Sequence, residues 1–373
     1  MKNEKLLVGV DEFTIVLQPT DALDGMNWLG KVDAMLEQFL PLSFTEEIFG
    51  ELVHGLGKPI QGYTQGIFAN QPFYFSICWH EHMQNMGIAI RYSAYAWAHF
   101  MAEYEQRYGA QMNIAHFLQM VQSDIYTTRL SKIDLAADYQ GFGLKVHKIY
   151  AGLKEHKLQV QNGQAHRVNL KMSAFELDGA AETVYLGSRK GNTQGFLRLY
   201  DKRTEQIANN GFRLDEALDT TDWVRFEAVY KGRYAHQITE ALLTEISDSM
   251  ELQGFIAKMI TDKYIFFDVD KDKTTDFSEA LYGIAKGCKS KHLRSESPRD
   301  NELRQSIRYL VKNAGLMPVV EKISRLYGDD GVTQFWAYLQ DQYRQYEPPR
   351  DVDAWMNKHG KTMRTQTLAD SLS

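Results

Sequence analysis

Three short stretches place acidic, basic and phenolic side chains at a spacing of two. Residues 132–139 read KIDLAADY, 196–202 read FLRLYDK and 223–230 read WVRFEAVY. In an extended strand, residues two apart share a face. Asp134, Ala136 and Asp138 then point one way, with Ile133, Leu135 and Ala137 opposite. Arg198, Tyr200 and Lys202 share a face, as do Arg225 and Glu227, against Leu197, Leu199, Val224, Phe226 and Ala228. If the strands are neighbours, three carboxylates converge and repel one another unless a cation neutralises them. A hard cation such as Mg²⁺ takes oxygen ligands and keeps several waters. A tyrosine hydroxyl beside it, with Arg and Lys nearby, would ionise more easily and attack a phosphate. The other reading of the same pattern is an ordinary surface of cross-strand salt bridges.

Such strands need a sheet and a core beneath it. Residues 6–17 (LLVGVDEFTIVL), 68–79, 87–92, 127–139, 183–186, 195–202 and 223–230 read as strands. Residues 28–39, 95–108, 114–121, 146–153, 235–248 and 252–259 have helical spacing, and from 276 onward the pattern is helical, clearest at 302–313, 319–327 and 332–343. The segment 347–351 (EPPRD) reads as a linker, and the tail beyond it as mobile. The expectation is an α+β fold: an antiparallel catalytic sheet with helices packed on one face and a helical C-terminal region. The expected divisions are an N-terminal α+β region (1–120), a catalytic region (121–280) continuous with it, a helical region (281–346) and a polar tail (347–373).

The 373 residues are 44% hydrophobic and 24% charged, which suits a soluble globular protein. No apolar run approaches a membrane span, and the start has no leader pattern, so the expected location is cytoplasmic. Two cysteines, Cys78 and Cys288, suggest neither a disulfide framework nor a zinc site. The net charge of −6 argues weakly against nucleic acid. Its distribution does not: basic residues cluster at 189–203 and again at 286–308.

The stretches KIDLAADY, YLGSRKGNTQGFLRLYDKRTEQ and WVRFE resemble the Rep_trans (replication initiation factor) family, which comprises rolling-circle plasmid initiators and related relaxases of integrative elements. The resemblance runs over about 6–267. It implies a metal-dependent, topoisomerase-like strand transferase. A tyrosine nicks one strand at the double-strand origin and stays joined to the 5′ phosphate. The 3′ hydroxyl primes synthesis, and the reverse step closes the circle. The family acts as a homodimer with a host helicase and needs Mg²⁺ or Mn²⁺. Carried onto this chain, the nucleophile is Tyr200, assisted by Arg198, Lys202 and Arg225. Asp134, Asp138 and Glu227 are the metal ligands. Ser188, Arg189, Lys190, Arg203, Lys289, Lys291 and Arg294 contact DNA. Where the family usually has a serine after Gly-Ser-Arg-Lys, this chain has Gly191; if that serine binds phosphate, the contact is either missing or supplied by Thr193 or Ser188. A relaxase for conjugative transfer and a non-catalytic origin-binding protein are the alternatives.

Tyr185 competes with Tyr200, whereas Tyr139 and Tyr230 fall on apolar phases. His80, Glu81 and His82 sit in a polar turn rather than a His-hydrophobe-His metal motif. Asp268, Asp270, Asp272, Asp276 and Glu279 match EF-hand positions, but Lys273 stands where the scheme needs glycine, so an acidic surface loop is expected. The loop 187–191 lacks P-loop spacing. The helical segment 286–343 is a second candidate for DNA contact.

Overall fold

The computed structural model describes residues 4–177, 180–190, 193–246, 248–290, 293, 303–312, 315–348, 350–365 and 367–368. In chain order the strands are β1 (Lys5–Pro19), β2 (Val53–His54), β3 (Gln65–Phe68), β4 (Ser76–Trp79), β5 (Ile88–Tyr92), β6 (Tyr126–Gln140), β7 (Leu158–Gln161), β8 (Met172–Leu177), β9 (Ala180–Leu186), β10 (Gly195–Asp201), β11 (Trp223–Lys231), β12 (Ile265–Asp268) and β13 (Lys273–Thr274). The helices are α1 (Trp28–Leu42), α2 (Thr45–Phe49), α3 (Ala94–Tyr108), α4 (Ile114–Met120), α5 (Val146–Lys154), α6 (Lys202–Ala208), α7 (Leu214–Asp219), α8 (Arg233–Thr244), α9 (Ser249–Thr261), α10 (Asp276–Ala285), α11 (Leu303–Lys312), α12 (Leu316–Arg344) and α13 (Arg350–Met363). They fall into two compact units, 1–293 and 294–373.

The first unit is built on a sheet ordered β2-β3-β4-β5-β1-β6-β11-β10-β9-β8, antiparallel at every pairing, with a small sheet β13-β12-β7 beside it. This is the α+β architecture the sequence predicts. Alternation explains the layering. Ile133, Leu135, Ala137 and Tyr139 of β6 and Val224, Phe226, Ala228 and Tyr230 of β11 are buried. Helices close that face through hydrogen bonds as well as apolar contact. The Tyr139 hydroxyl donates to the Phe277 carbonyl (3.1 Å), the Tyr230 hydroxyl to the Met259 carbonyl (2.6 Å), and the Leu130 amide to the Thr239 hydroxyl (2.9 Å). Both tyrosines are thus core residues. Farther along, Phe13, Tyr92, Trp97, Phe100 and Phe117 form one aromatic cluster. Side-chain caps start the helices where the sequence supplies them: Asn27 for α1, Ser93 for α3, Asn113 for α4 and Asp248 for α9.

Some expectations need correction. Residues 68–79 are not one strand: β3 ends at Phe68, the chain turns through 69–75, and β4 pairs back on β3. Strands β2, β7, β8, β12 and β13 were not expected. The tail carries helix α13 where a mobile segment was expected. In the second unit, α11 packs on α12, which breaks at Gly328 (φ 67°). The His80 turn is local: its Nδ1 accepts from the His82 and Met83 amides. The 268–276 segment is a β-hairpin in which Asp268 pairs with Lys271 and Asp276 with Lys273. Among the described residues, no helix is long and apolar enough to cross a membrane.

Candidate active site

Strands β6, β11 and β10 lie side by side, and their register builds the site. Arg225 opposes Asp138 and Glu227 opposes Ala136; on the other side of β11, Tyr200 opposes Arg225 and Arg198 opposes Glu227. Directly opposed side chains share a face. Asp134, Asp138, Arg225, Glu227, Arg198 and Tyr200 therefore emerge together, on the face the alternation predicts. Gly9 opposes Ala136 on β1, and a Cβ on Gly9 would meet nothing within 4 Å. A side chain at Gly9 would therefore enter open space.

Sequence reasoning missed Asp11, Glu12, Arg91, Lys132, Arg213 and Trp223. In β1, Val10 pairs with Leu135 and Phe13 with Ile133, so Asp11 and Glu12 together oppose Asp134 alone. That is a β-bulge, which re-aims side chains. It adds two carboxylates to the site without disturbing the core phase of Val10 and Phe13. The signal was an adjacent acidic pair inside an otherwise apolar strand.

Each carboxylate has a cationic partner. Asp11 pairs with Arg225, and Glu12 with Lys132 (2.6 Å) and Arg91 (2.9 Å). Asp134 Oδ2 pairs with Lys132 (2.9 Å), and Glu227 Oε1 with Arg198. Asp138 is the most heavily engaged. Arg225 donates to both its oxygens (2.7 Å each), Trp223 Nε1 to Oδ1 (2.8 Å) and Arg213 to Oδ2 (3.0 Å). Burial would raise the Asp138 carboxyl, but Arg225, Arg213 and Trp223 outweigh it and hold the group below the usual carboxylate range.

The depressed value has a consequence for acid stability. A carboxylate with a lowered native pKa stabilises the fold above its unfolded value, about 3.9, and that contribution is lost as pH falls through the native value. Asp138→Asn should therefore flatten the fall in stability below about pH 4, measured by urea unfolding against pH. Parallel curves for wild type and variant would contradict this.

Tyr200 is 9% exposed, and its Oη donates to Glu227 Oε2 at 3.1 Å. Burial, then the charge of Glu227, push its phenol well above the ordinary value. The hydroxyl is thus held protonated, donating to the Glu227 carboxylate. Arg198 lies over the ring at 5.0 Å and Lys202 Nζ at 5.6 Å. Lys202 is not on the strand face. β10 ends at Asp201, which caps α6 through the Thr204 amide (2.8 Å), and Lys202 opens that helix, buried and paired with Glu205 (2.9 Å).

Two buried polar atoms here have no hydrogen-bond partner, Asp134 Oδ1 and Arg198 Nε. They bear on the divalent cation implied by the sequence resemblance. Burial raises the Asp134 carboxyl well above its usual range against the pull of Lys132, with Glu227 adding like charge; Glu227 is raised by burial and by Asp11. A spare carboxylate oxygen beside a second buried carboxylate suits a hard cation. Asp138 does not fit, because both its oxygens are occupied. Among the described residues, no ready-made cluster of three ligands is present.

The remaining residues frame the site. Tyr185 opposes Arg198 on β9, with the Arg189 guanidinium 4.2 Å from its ring centre. Gly187 (φ 111°) starts the loop, where a Cβ would press on Phe196 at 3.0 Å. Ser188 Oγ accepts from the Lys190 amide, and the Thr193 hydroxyl donates to the Ser188 carbonyl (2.7 Å). Both hydroxyls serve the loop itself. Arg203 donates to the Thr220 carbonyl (2.8 Å). Lys289 is exposed just beyond α10. Gly191, Lys291 and Arg294 lie outside the described residues.

No curated protein sequence matches the chain. A solved structure with a similar fold is "Structure of Rolling Circle Replication Initiator Protein from Geobacillus stearothermophilus", at 15% identity and a TM-score of 0.50, over 75% of this chain and 97% of that one. The replication initiation factor family (Rep_trans) matches residues 128–334, more than half of the chain, including Asp134, Tyr200 and Glu227. The chain belongs to the replication initiation factor family.

Proposed function

We propose that the protein is a rolling-circle replication initiator that cuts one strand of its origin by attack of Tyr200 Oη on the scissile phosphate. The observation that carries this reading is the Tyr200–Glu227 hydrogen bond bracketed by Arg198. As the Tyr200 O–P bond forms, the phenolic proton passes to Glu227 Oε2. The P–O3′ bond breaks, and the departing oxygen takes a proton from solvent to become the 3′ hydroxyl that primes synthesis. The 5′ phosphate stays on the tyrosine, and the reverse transesterification closes the strand. Arg198 offers its unpartnered Nε to the phosphate oxygens, where charge develops. Arg225, locked by Asp11 and Asp138, fixes positive charge one strand from the hydroxyl. Mg²⁺ or Mn²⁺ would be held by Asp134 through its unpartnered Oδ1, with Glu12 and Glu227 adjacent, and would supply Lewis-acid stabilisation of the phosphate. Homodimeric action, recruitment of a host helicase and phosphate contacts from Arg189 and Lys190 complete the proposal.

The test is covalent attachment. Wild-type protein incubated with single-stranded origin DNA and Mg²⁺ or Mn²⁺, then denatured, should carry the DNA through electrophoresis; no adduct on any origin segment would sink the reading. A separate check concerns Asp134. Ligand binding to the native state raises the melting temperature. Mn²⁺ should stabilise wild type, and Asp134→Asn should remove that shift while the cation-free variant melts no lower than wild type. An undiminished Mn²⁺ shift would place the cation elsewhere.

A further inference from the structure

The end of β10 opens on a cavity of about 450 Å³ lined by Tyr200, Phe175, Glu182, Thr183, His147 and Asn209, among others. Register explains how it forms. Phe175 of β8 opposes Thr183, and Thr183 opposes Tyr200, so one cross-strand row runs from the exposed sheet edge to the nucleophile. Between Phe175 and Glu176 the β8–β9 register slips, leaving Glu182 as an extra residue beside Thr183. As at Asp11 and Glu12, a bulge adds a carboxylate, this time to the lining of the cavity. Phe175 is 60% exposed, although it is a large aromatic on an edge strand. Among the described residues, the side chains of Glu182, His147 and Asn209 have no hydrogen-bond partner.

We propose that this cavity receives the unstacked base of the nucleotide next to the scissile phosphate, stacked on Phe175 and read at its hydrogen-bonding edge by Glu182. The inference rests on the nicking reading of Tyr200. Two features favour a base over the sugar–phosphate backbone. The lining is acidic, with Glu182, Asp201 and Glu205 together, which repels a phosphodiester but accepts from exocyclic amines. An exposed aromatic beside a polar cavity is also what binds splayed bases of single strands. The Tyr200 hydroxyl is directed to Glu227, so the phosphate and its neighbouring base take different sides of one residue.

The experiment walks a single abasic position, and separately 2-aminopurine, along a single-stranded oligonucleotide spanning the nick site, using full-length protein. One position flanking the cut should slow adduct formation when abasic by about 5- to 150-fold, the range of one base–aromatic stack. Phe175→Ala should show the same loss on intact DNA and no further loss on that abasic strand, while Phe175→Trp retains the wild-type rate. Thymine, which lacks an exocyclic amine, should be the poorest base there, and Glu182→Gln should narrow the difference. A flat abasic scan, or losses from Phe175→Ala and the abasic position that multiply, would overturn the proposal; a preference for thymine would overturn the role of Glu182. Binding alone should quench 2-aminopurine at that position in wild type but not in Phe175→Ala. That readout needs no cleavage: a protein that forms no adduct refutes the nicking reading, while the quench still decides the cavity.

Discussion

Tyr200→Phe is expected to abolish covalent attachment to origin DNA while leaving the protein folded and able to bind it. The change removes one oxygen. The ring keeps its place between Arg198 and Lys202, and the lost hydrogen bond to Glu227 costs about 1 kcal/mol. Removing a nucleophile, by contrast, costs on the order of 10⁴- to 10⁶-fold in rate. Adduct yield, binding of the same oligonucleotide and the urea midpoint, measured together, separate the two effects. An adduct that persists in Tyr200→Phe would take the reaction away from this residue.

The second large effect is on stability. Arg225 is 3% exposed and spans Asp11 and Asp138, so Arg225→Met leaves the buried Asp138 and the partly buried Asp11 without their main partner. Breaking a buried ion pair on one side costs about 3–5 kcal/mol, whereas replacing both sides by apolar groups is often neutral. Arg225→Met should lower the urea midpoint severely. Arg225→Met combined with Asp138→Leu should be less unstable than the two single losses added. A well-folded Arg225→Met that binds DNA but fails to cut it would instead assign Arg225 to the phosphate.

How far these features could be read in advance depended on period and distance. The alternation in β6, β10 and β11 has period two, so the shared face of Asp134, Arg198, Tyr200 and Glu227 was legible before any pairing was known. The bulge in β1 was not, because an inserted residue breaks a period of two, under which the adjacent Asp11 and Glu12 would fall on opposite faces. Lys202 was placed on the strand face for a related reason. The alternation continues through it, yet the Asp201 cap turns the chain into α6 one residue earlier. The fate of Asp138 was invisible, since its partners Arg225 and Arg213 lie 87 and 75 residues away in sequence. Period predicts which side of a strand an acid occupies, not whether a guanidinium has already claimed it. Likewise 68–79 looked continuous, because its apolar content hides the turn at 69–75.

The most direct measurement of the central claim is the identity of the residue that carries the DNA. After adduct formation with wild-type protein, nuclease trimming to a short nucleotide and digestion with trypsin, mass spectrometry should locate the phosphodiester on the peptide 199–202, at Tyr200. Tyr185 falls in a different peptide, 172–189, so the two candidates are separated by mass alone. Nucleotide on 199–202 is the result this account predicts. Nucleotide on 172–189, with 199–202 unmodified, would contradict it.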